Sequence, residues 1–560
     1  MSLIGTHGAI LADARSEAPI KLWVFETFWQ AGVFGGRVTA GWPHPGILNN
    51  PDPIGTLVTA LLRPLVGRLT AYNMLIYLQL FANLVAMRAL LRSFGLARGA
   101  CLVGAAAFGL TPIVLVYCVA GAVTDMLNLW PWLLALRAGL RSLGSGWKDG
   151  LAAGAWIGVG FVTCPYNAIV FSILGIPILP FVGLVRARGA GVLPVRGGTW
   201  RHVGEAVIAV AVGAALVAGP YAIQMKRVMS ASDSQMSADL VASTRNVAPY
   251  PYLVPSNNDR YTAFLADYVA VGKNALIMRE AGSRYYRAFS PGLYLLALGL
   301  YGLVPRRQRG VVGMWCGAAV FCAFASIGPF TPLTGVIASS TPTNTLWLAL
   351  QAYWPGSQLL QEPFRYAIPA VLGVSVAGAF GVDALGRIAG PWVGGLLLAV
   401  CVGELVFLSP VPAPLPTATL APSESSYQLA KLLPDGAIIA LPYFDQGTPR
   451  FVRTHFLDQL VHQRPIADEV SGFPAQYLRD NNYTAALLAA EKPYGKLAVT
   501  VTDPSKVDAD RLRLPADGFV GIVINKAEFL NQNHYNDVLA LLAPWGTPVH
   551  VGHEDVYRLE

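Results

Sequence analysis

The chain has 560 residues, of which 54% are apolar and only 13% charged, and its mean hydropathy is +0.48. A soluble domain carries roughly 25% charged residues and a single soluble core stops growing at about 250–300 residues. A soluble enzyme and a disordered chain are therefore excluded, and membrane spans are the starting point. The net charge of +8 is unevenly divided: 28 Lys/Arg face 15 Asp/Glu before residue 410, and 12 face 17 after it. Basic residues among apolar runs mark membrane orientation, so no nucleic-acid partner is expected.

Residues 1–71 come first and are rich in polar and Pro residues, and segment 53–67 reads as a re-entrant or interfacial piece. Apolar runs then predict ten spans, at 72–91, 99–120, 126–141, 150–164, 167–185, 203–222, 291–304, 311–328, 366–386 and 391–409. The fourth and fifth meet at Cys164-Pro165 and can be one kinked span. Segment 331–350 reads like 53–67. Cys101, Cys118, Cys164, Cys316, Cys322 and Cys401 all lie in apolar runs without zinc-ligand spacing, and read as small buried side chains.

Arg92 and Arg98, Arg141 and Lys148, Arg186 to Arg201, Arg306 to Arg309, and Arg387 fall in alternate loops, which sets those loops as cytoplasmic. The opposite side receives residues 1–71, a turn near Asp125, loop 223–290, segment 329–365 and everything after 410. No span precedes residues 1–71, and Met1–Ile10 is too short and polar for a signal peptide, so a first helix is expected to be missing from this sequence.

The tail opens on the Pro-rich stretch Ser409-Pro-Val-Pro-Ala-Pro-Leu-Pro-Thr, an extended spacer at 410–424. Short β-rich runs at Ala437–Leu441, Leu497–Val501 and Val520–Ile524 alternate with helix-like segments at 425–433, 475–490 and 535–543. The fold class is thus mainly α: a polytopic helix bundle over 1–409, followed by a small extracytoplasmic α/β domain at 425–560.

Ionisable groups beside a bilayer are costly and need a reason. The first outer loop carries Asp13, Arg15, Glu17 and Lys21, then Trp42-Pro43-His44-Pro45 and Asn49-Asn50-Pro51-Asp52. Two neighbouring acids can hold a divalent cation, Mg or Mn, or one can take a proton from an attacking hydroxyl. The alternative is a solvated, ion-paired helix start. Asp125, in the second outer turn, is either a second acid or the N-cap of the span starting at 126.

Glu17 stands six residues before Trp23, a Pro-rich stretch with Asn follows at 42–51, and an aromatic-Asn pair, Tyr72-Asn73, opens the first span. This layout resembles the bacterial GT-C superfamily of polytopic membrane glycosyltransferases over residues 5–409. It departs from the family in having Glu where Asp is usual, with Asp13 as competitor, and in lacking the family's first helix. The resemblance implies a sugar donor on polyprenyl phosphate, and a hydroxyl acceptor on a glycan, lipid or protein. It makes Glu17 the general base or metal ligand, with Asp13 as alternative and Asp125 as a second acid. The sequence has no P-loop or dinucleotide fingerprint.

His44 and Asn50 are candidate substrate contacts in the first loop. Loop 223–290 interleaves Arg and Lys with Tyr. Arg284 and Arg287 are its candidates for a phosphate clamp, against plain attraction to anionic lipid. Glu362 and Arg365 sit at the mouth of the ninth span, where Arg365 would meet the donor phosphate or act as an interfacial anchor. Asp383 and Glu404 read as structural, and the pair His550 and His553 as exposed loop residues. Two rivals stand beside the enzyme on the outer face of the bacterial cytoplasmic membrane: a transporter or flippase, suggested by Pro breaks at 112, 131, 165 and 220, and a non-catalytic scaffold. Acids converging at the membrane surface favour the enzyme.

Overall fold

A computed structural model of the protein describes residues 9–12, 16–38, 40, 47–145, 147–178, 200–230, 299, 308–328, 344–357, 360, 363–408, 415–445, 450–451, 454–468, 476–491, 499–529 and 531–559. The described part of residues 1–71 is built of short elements. Its strand β1 (Ala9–Leu11) is followed by helix α1 (Ala18–Ala31), a two-stranded ribbon of β2 (Gly35–Arg37) and β3 (Ile47–Asn49), and helix α2 (Pro53–Val66). Pro19 and Pro53 stand at helix starts, where a missing N–H costs nothing. In α2, Leu57, Leu61 and Leu65 are exposed and four apart, so they share a face. That is the pattern of a helix lying on a membrane surface, in keeping with the interfacial reading of 53–67.

Four described helices are long and apolar enough to cross a bilayer: α3 (Arg68–Ser93), Val203–Arg227 within α8 (Trp200–Ser230), α9 (Arg309–Ser326) and Pro363–Ala389. The last is a 3-10 turn, Pro363–Tyr366, running into α11 (Ala367–Ala389). A fifth is made by α4 (Arg98–Gly109) and the π-helical stretch Ile113–Ala120 if their 44° bend lies within one span. Pro112 stands at that bend and removes a ladder hydrogen bond. At about 39 Å for 26 residues, α3 exceeds the roughly 30 Å of hydrocarbon. The predicted spans at 126–141 and 150–164 correspond to α5 (Trp130–Ser145) and α6 (Trp147–Thr163), of 16 and 17 residues. At Cys164 the backbone is extended and α7 (Pro165–Ser172) begins afresh, so this stretch is two helices. Most of the predicted span at 291–304 lies outside the described residues.

Small residues set the helix spacing. Gly150, Gly154 and Gly158 of α6 lie against α8, where a Cβ on Gly154 would come within 2.0 Å of the Val210 carbonyl oxygen. Backbones in contact substitute for side-chain packing, as expected where lipid gives no hydrophobic drive. The outward face of α8 carries exposed Val207, Ile208, Leu216 and Ile223, which suit lipid contact.

The tail holds a four-stranded sheet of order β5-β8-β10-β9, from β5 (Ala437–Leu441), β8 (Phe519–Asn525), β9 (Val549–Val551) and β10 (Glu554–Arg558). Strands β5 and β8 pair in parallel and the other pairs are antiparallel. Every residue of β5 is buried because both faces are covered. Ala437, Ile439 and Leu441 meet the tail's own helices, while Ile438 joins Phe456, Leu457 and Trp23 in the core shared with the helical bundle. No strand is described at 499–501, and 497–498 lie outside the described residues. The hairpin β9–β10 replaces the expected loop around His550, which pairs with Asp555. The spacer also does more than space, because β4 (Thr417–Thr419) pairs antiparallel with β1.

Candidate active site

The first loop and the second outer turn are joined by backbone and side chain. Glu17 caps α1; its N–H donates to the Gly121 carbonyl at 3.2 Å and its carbonyl accepts from Lys21 N–H at 3.0 Å. One turn along, the Lys21 ammonium is hydrogen-bonded to the Asp125 carboxylate, and both residues are buried. The solvated helix start expected around Asp13, Arg15, Glu17 and Lys21 is therefore corrected at Lys21, whose partner lies 104 residues away. The N-cap reading of Asp125 is corrected too, because α5 begins at Trp130.

Burial opposes ionisation of Asp125, but the Lys21 ammonium, its hydrogen bond and the Arg365 charge outweigh that and hold the carboxyl below its ordinary value. Burial likewise opposes the Lys21 charge, and Asp125 and Glu17 overcome it and raise the ammonium pKa. The Cys164 thiol lies 3.7 Å from the other Asp125 oxygen.

Beneath this pair lies a polar layer that the sequence reading did not single out. Asp52 caps α2, its Oδ1 accepting from Gly55 N–H at 2.8 Å and from Asn128 Nδ2 at 3.4 Å. Its Oδ2 is buried with no hydrogen-bond partner among the described residues. Burial, with Asp125 nearby, pushes the Asp52 carboxyl up to about 7, against the Gly55 hydrogen bond and Lys21. Gln79 and Asn83 of α3 fix the second turn by donating to Asn128 Oδ1 at 3.0 Å and the Leu127 carbonyl at 2.8 Å. The legible signal was Gln79 and Asn83 four apart within an apolar span, since such amides seek partners inside the bundle.

Asn50 is corrected from substrate contact to structural bracket. It is buried, donates to the Val33 carbonyl at 2.7 Å and Thr56 Oγ1 at 2.8 Å, and accepts from Asp52 N–H at 3.0 Å. Asn73, of the aromatic-Asn pair, holds β1 through Leu11 N–H at 2.8 Å and the Ala9 carbonyl at 3.1 Å. Arg365, in the 3-10 turn before α11, puts its guanidinium 4.9 Å from the Tyr166 ring centre and its charge bears on Asp125. Thus the start of α1 at Glu17 abuts the turn that carries Asp125, and the Arg365 charge acts on Asp125. Asp13, His44, Arg284, Arg287 and Glu362 lie outside the described residues.

Among the described residues no three His, Cys, Asp or Glu side chains gather as a metal site requires. Of the two expected ligands for Mg or Mn, Glu17 stands at the start of α1 and Asp13 lies outside the described residues, while Asp125 is already paired with Lys21.

No protein-family model matches the sequence, and no curated protein matches it. Solved structures do. Arabinofuranosyltransferase AftD from Mycobacteria aligns over 99% of this chain and 38% of its own, with 14% identity and a TM-score of 0.51. Its R1389S variant, class 1, aligns over 100% of this chain and 40% of its own, with 15% identity and a TM-score of 0.52. The fold is GT-C-like. The protein is a multi-pass helical membrane protein of that fold, and spans about two-fifths of the length of the AftD chain. ArnT from Cupriavidus metallidurans aligns over 98% of this chain and 95% of its own, at 15% identity and a TM-score of 0.38.

Proposed function

We propose that the protein is a glycosyltransferase that moves a sugar from a polyprenyl-phosphate donor to a hydroxyl of a glycan, lipid or protein, at the outer face of the bacterial cytoplasmic membrane. The observation that carries this is the junction of Glu17, Lys21 and Asp125 across two outer loops, within the field of Arg365. In the reaction the acceptor oxygen bonds to the anomeric carbon and the bond from that carbon to the phosphate oxygen breaks. The electron pair leaves with the phosphate and the hydroxyl proton passes to a carboxylate. Glu17 is the base: it is half-buried at the helix start, with its carboxylate not committed to capping. Asp125 is the positioning residue, because its ion pair with Lys21 locks α1 against the second turn. Arg365 meets the negative charge that develops on the departing phosphate. Asp13 and the Arg pair at 284 and 287 stay as further candidates for base and phosphate contact. The tail, docked on α1, would border the acceptor.

Charged groups gathered at the loop ends rather than in mid-span weigh for the enzyme over a transporter. The test is transfer of labelled sugar from polyprenyl-phosphate donors in membranes holding the protein or Glu17→Gln at matched level. Loss of about 100-fold or more in folded mutant supports Glu17 as base. Equal transfer moves the role to Asp13 or Asp125. No transfer from any polyprenyl-phosphate sugar, by wild type, sinks the proposal and favours a scaffold.

A further inference from the structure

Helices α1, α2 and α3 meet in a cleft of about 370 Å³, lined from α1 by Leu22 to Trp29. The buried Glu26 of α1 has one carboxylate oxygen bonded to Arg63 of α2 and the other to Arg68 Nε of α3, at 3.0 Å for the latter. The two arginine side chains stay 45% and 35% exposed. Each commits one nitrogen to Glu26, which fixes the plane of the guanidinium and leaves its other N–H groups for a ligand. Leu22, Phe25, Trp29, Ala60 and Pro64 make most of the rest of the wall apolar, and the hydroxyl of Thr59, which also lines it, is spent on the Gly55 carbonyl. Trp29 of the wall is itself exposed, and Leu61 and Leu65, next to Ala60 and Pro64 on the adjoining face of α2, are exposed beyond the rim.

An apolar cleft with a cationic rim, opening beside a leucine stripe, matches a molecule with a charged head and hydrocarbon tails. One carboxylate and two guanidiniums leave a single positive charge. That complements a phosphodiester, which carries one negative charge, better than a doubly charged phosphate monoester. We propose that this cleft binds the phosphodiester headgroup of a bilayer phospholipid, with Arg63 and Arg68 on the phosphate oxygens and the acyl chains along Leu61 and Leu65. The lipid clamps α1, α2 and α3 together at the membrane surface, and so steadies the helix whose other end carries Glu17. The proposal stands apart from glycosyl transfer and holds whatever reaction the site performs.

The test is native mass spectrometry of the full chain released from detergent micelles, titrated with phosphatidylglycerol, with diacylglycerol of the same chains, and with polyprenyl phosphate. Phosphatidylglycerol is expected to be retained about tenfold more strongly than diacylglycerol, and Arg63→Gln to remove about tenfold of that retention. Arg68 still pairs Glu26 in that variant. Ala60→Trp, which fills the cleft without changing charge, is expected to expel the lipid, and it decides the matter if Arg63→Gln does not fold. Equal retention of phosphatidylglycerol and diacylglycerol overturns the proposal. So does unchanged retention in folded Ala60→Trp, or polyprenyl phosphate bound to the exclusion of phosphatidylglycerol.

Discussion

Trp23 and Gln459, 436 positions apart, are joined by a hydrogen bond from the indole N–H to the amide oxygen, and both are buried. Phe456, one turn earlier on the tail helix Thr454–His462, packs edge-on to the same indole at 5.2 Å. The tail is thereby fastened to the helix that Glu17 caps. Gln459→Leu leaves the Trp23 N–H buried and unpaired, which costs about 1–3 kcal/mol. Faster limited proteolysis between residues 409 and 424, together with slower sugar transfer, is the expected outcome.

Lys21 and Asp125 make a buried ion pair, so removing one partner strands the other. Asp125→Asn or Lys21→Met is expected to destabilise the folded protein by about 3–5 kcal/mol, whereas the double change Lys21→Met/Asp125→Leu recovers most of it. Thermal unfolding in detergent measures this. Transfer should stay lost in the stable double variant, which separates positioning from folding. The depressed Asp125 carboxyl contributes stability that is present above its unfolded pKa of about 4 and is lost as pH falls through its lower folded value.

Gly154 admits no side chain, because the Val210 carbonyl oxygen stands where its Cβ would go. Gly154→Leu is expected to push α6 from α8 and cost about 1–3 kcal/mol or more, read as a lowered melting temperature. Gly139, with no atom of the described residues within 4 Å of such a Cβ, is the matched control.

In the tail, His455 Nδ1 lies 3.0 Å from Asp468 Oδ1 and its Nε2 is buried without a partner among the described residues. Burial opposes protonation, but Asp468, Asp458 and Glu528 prevail and raise the imidazole pKa above 6.5. The stabilisation from the charged pair is complete below pH 6.5 and disappears as pH rises through the raised value. The neighbouring Asp458, pushed by burial to about 6, and His462, lowered by burial to about 3, titrate below that window in the folded state. Histidine NMR should give a midpoint above 6.5 for His455, and His455→Gln should flatten the loss of tail stability between pH 6.5 and 8.5.

Apolar run length read the bundle well where a helix is built for lipid, as at α3, α8, α9 and α11, and β-branched runs located β5 and β8. Asp125 and Arg365 stood out as charges beside span ends, where such groups need a reason, and Glu17 stood out only through its spacing to Trp23. What run length cannot carry is pairing across the chain. Lys21 looked solvated because its neighbours in sequence are charged, yet its partner is Asp125. Asn50 read as a substrate contact and Asp52 drew no reading of its own, yet together they form a buried cap. The tail's hairpin was missed because its strands are short and half of their residues are polar.

The pairing of β1 with β4 has a consequence for biosynthesis. Residues 9–11 cannot find their partner until residues 417–419 have been translated and delivered to the same side of the bilayer. The Trp23 contact must wait longer still, for residues 456–459. The earlier segment is thus fastened only after the later one has arrived. A chain halted before these residues would insert its helices yet leave the Glu17 loop unfastened, so assembly of the site itself reports that translation has passed residue 459.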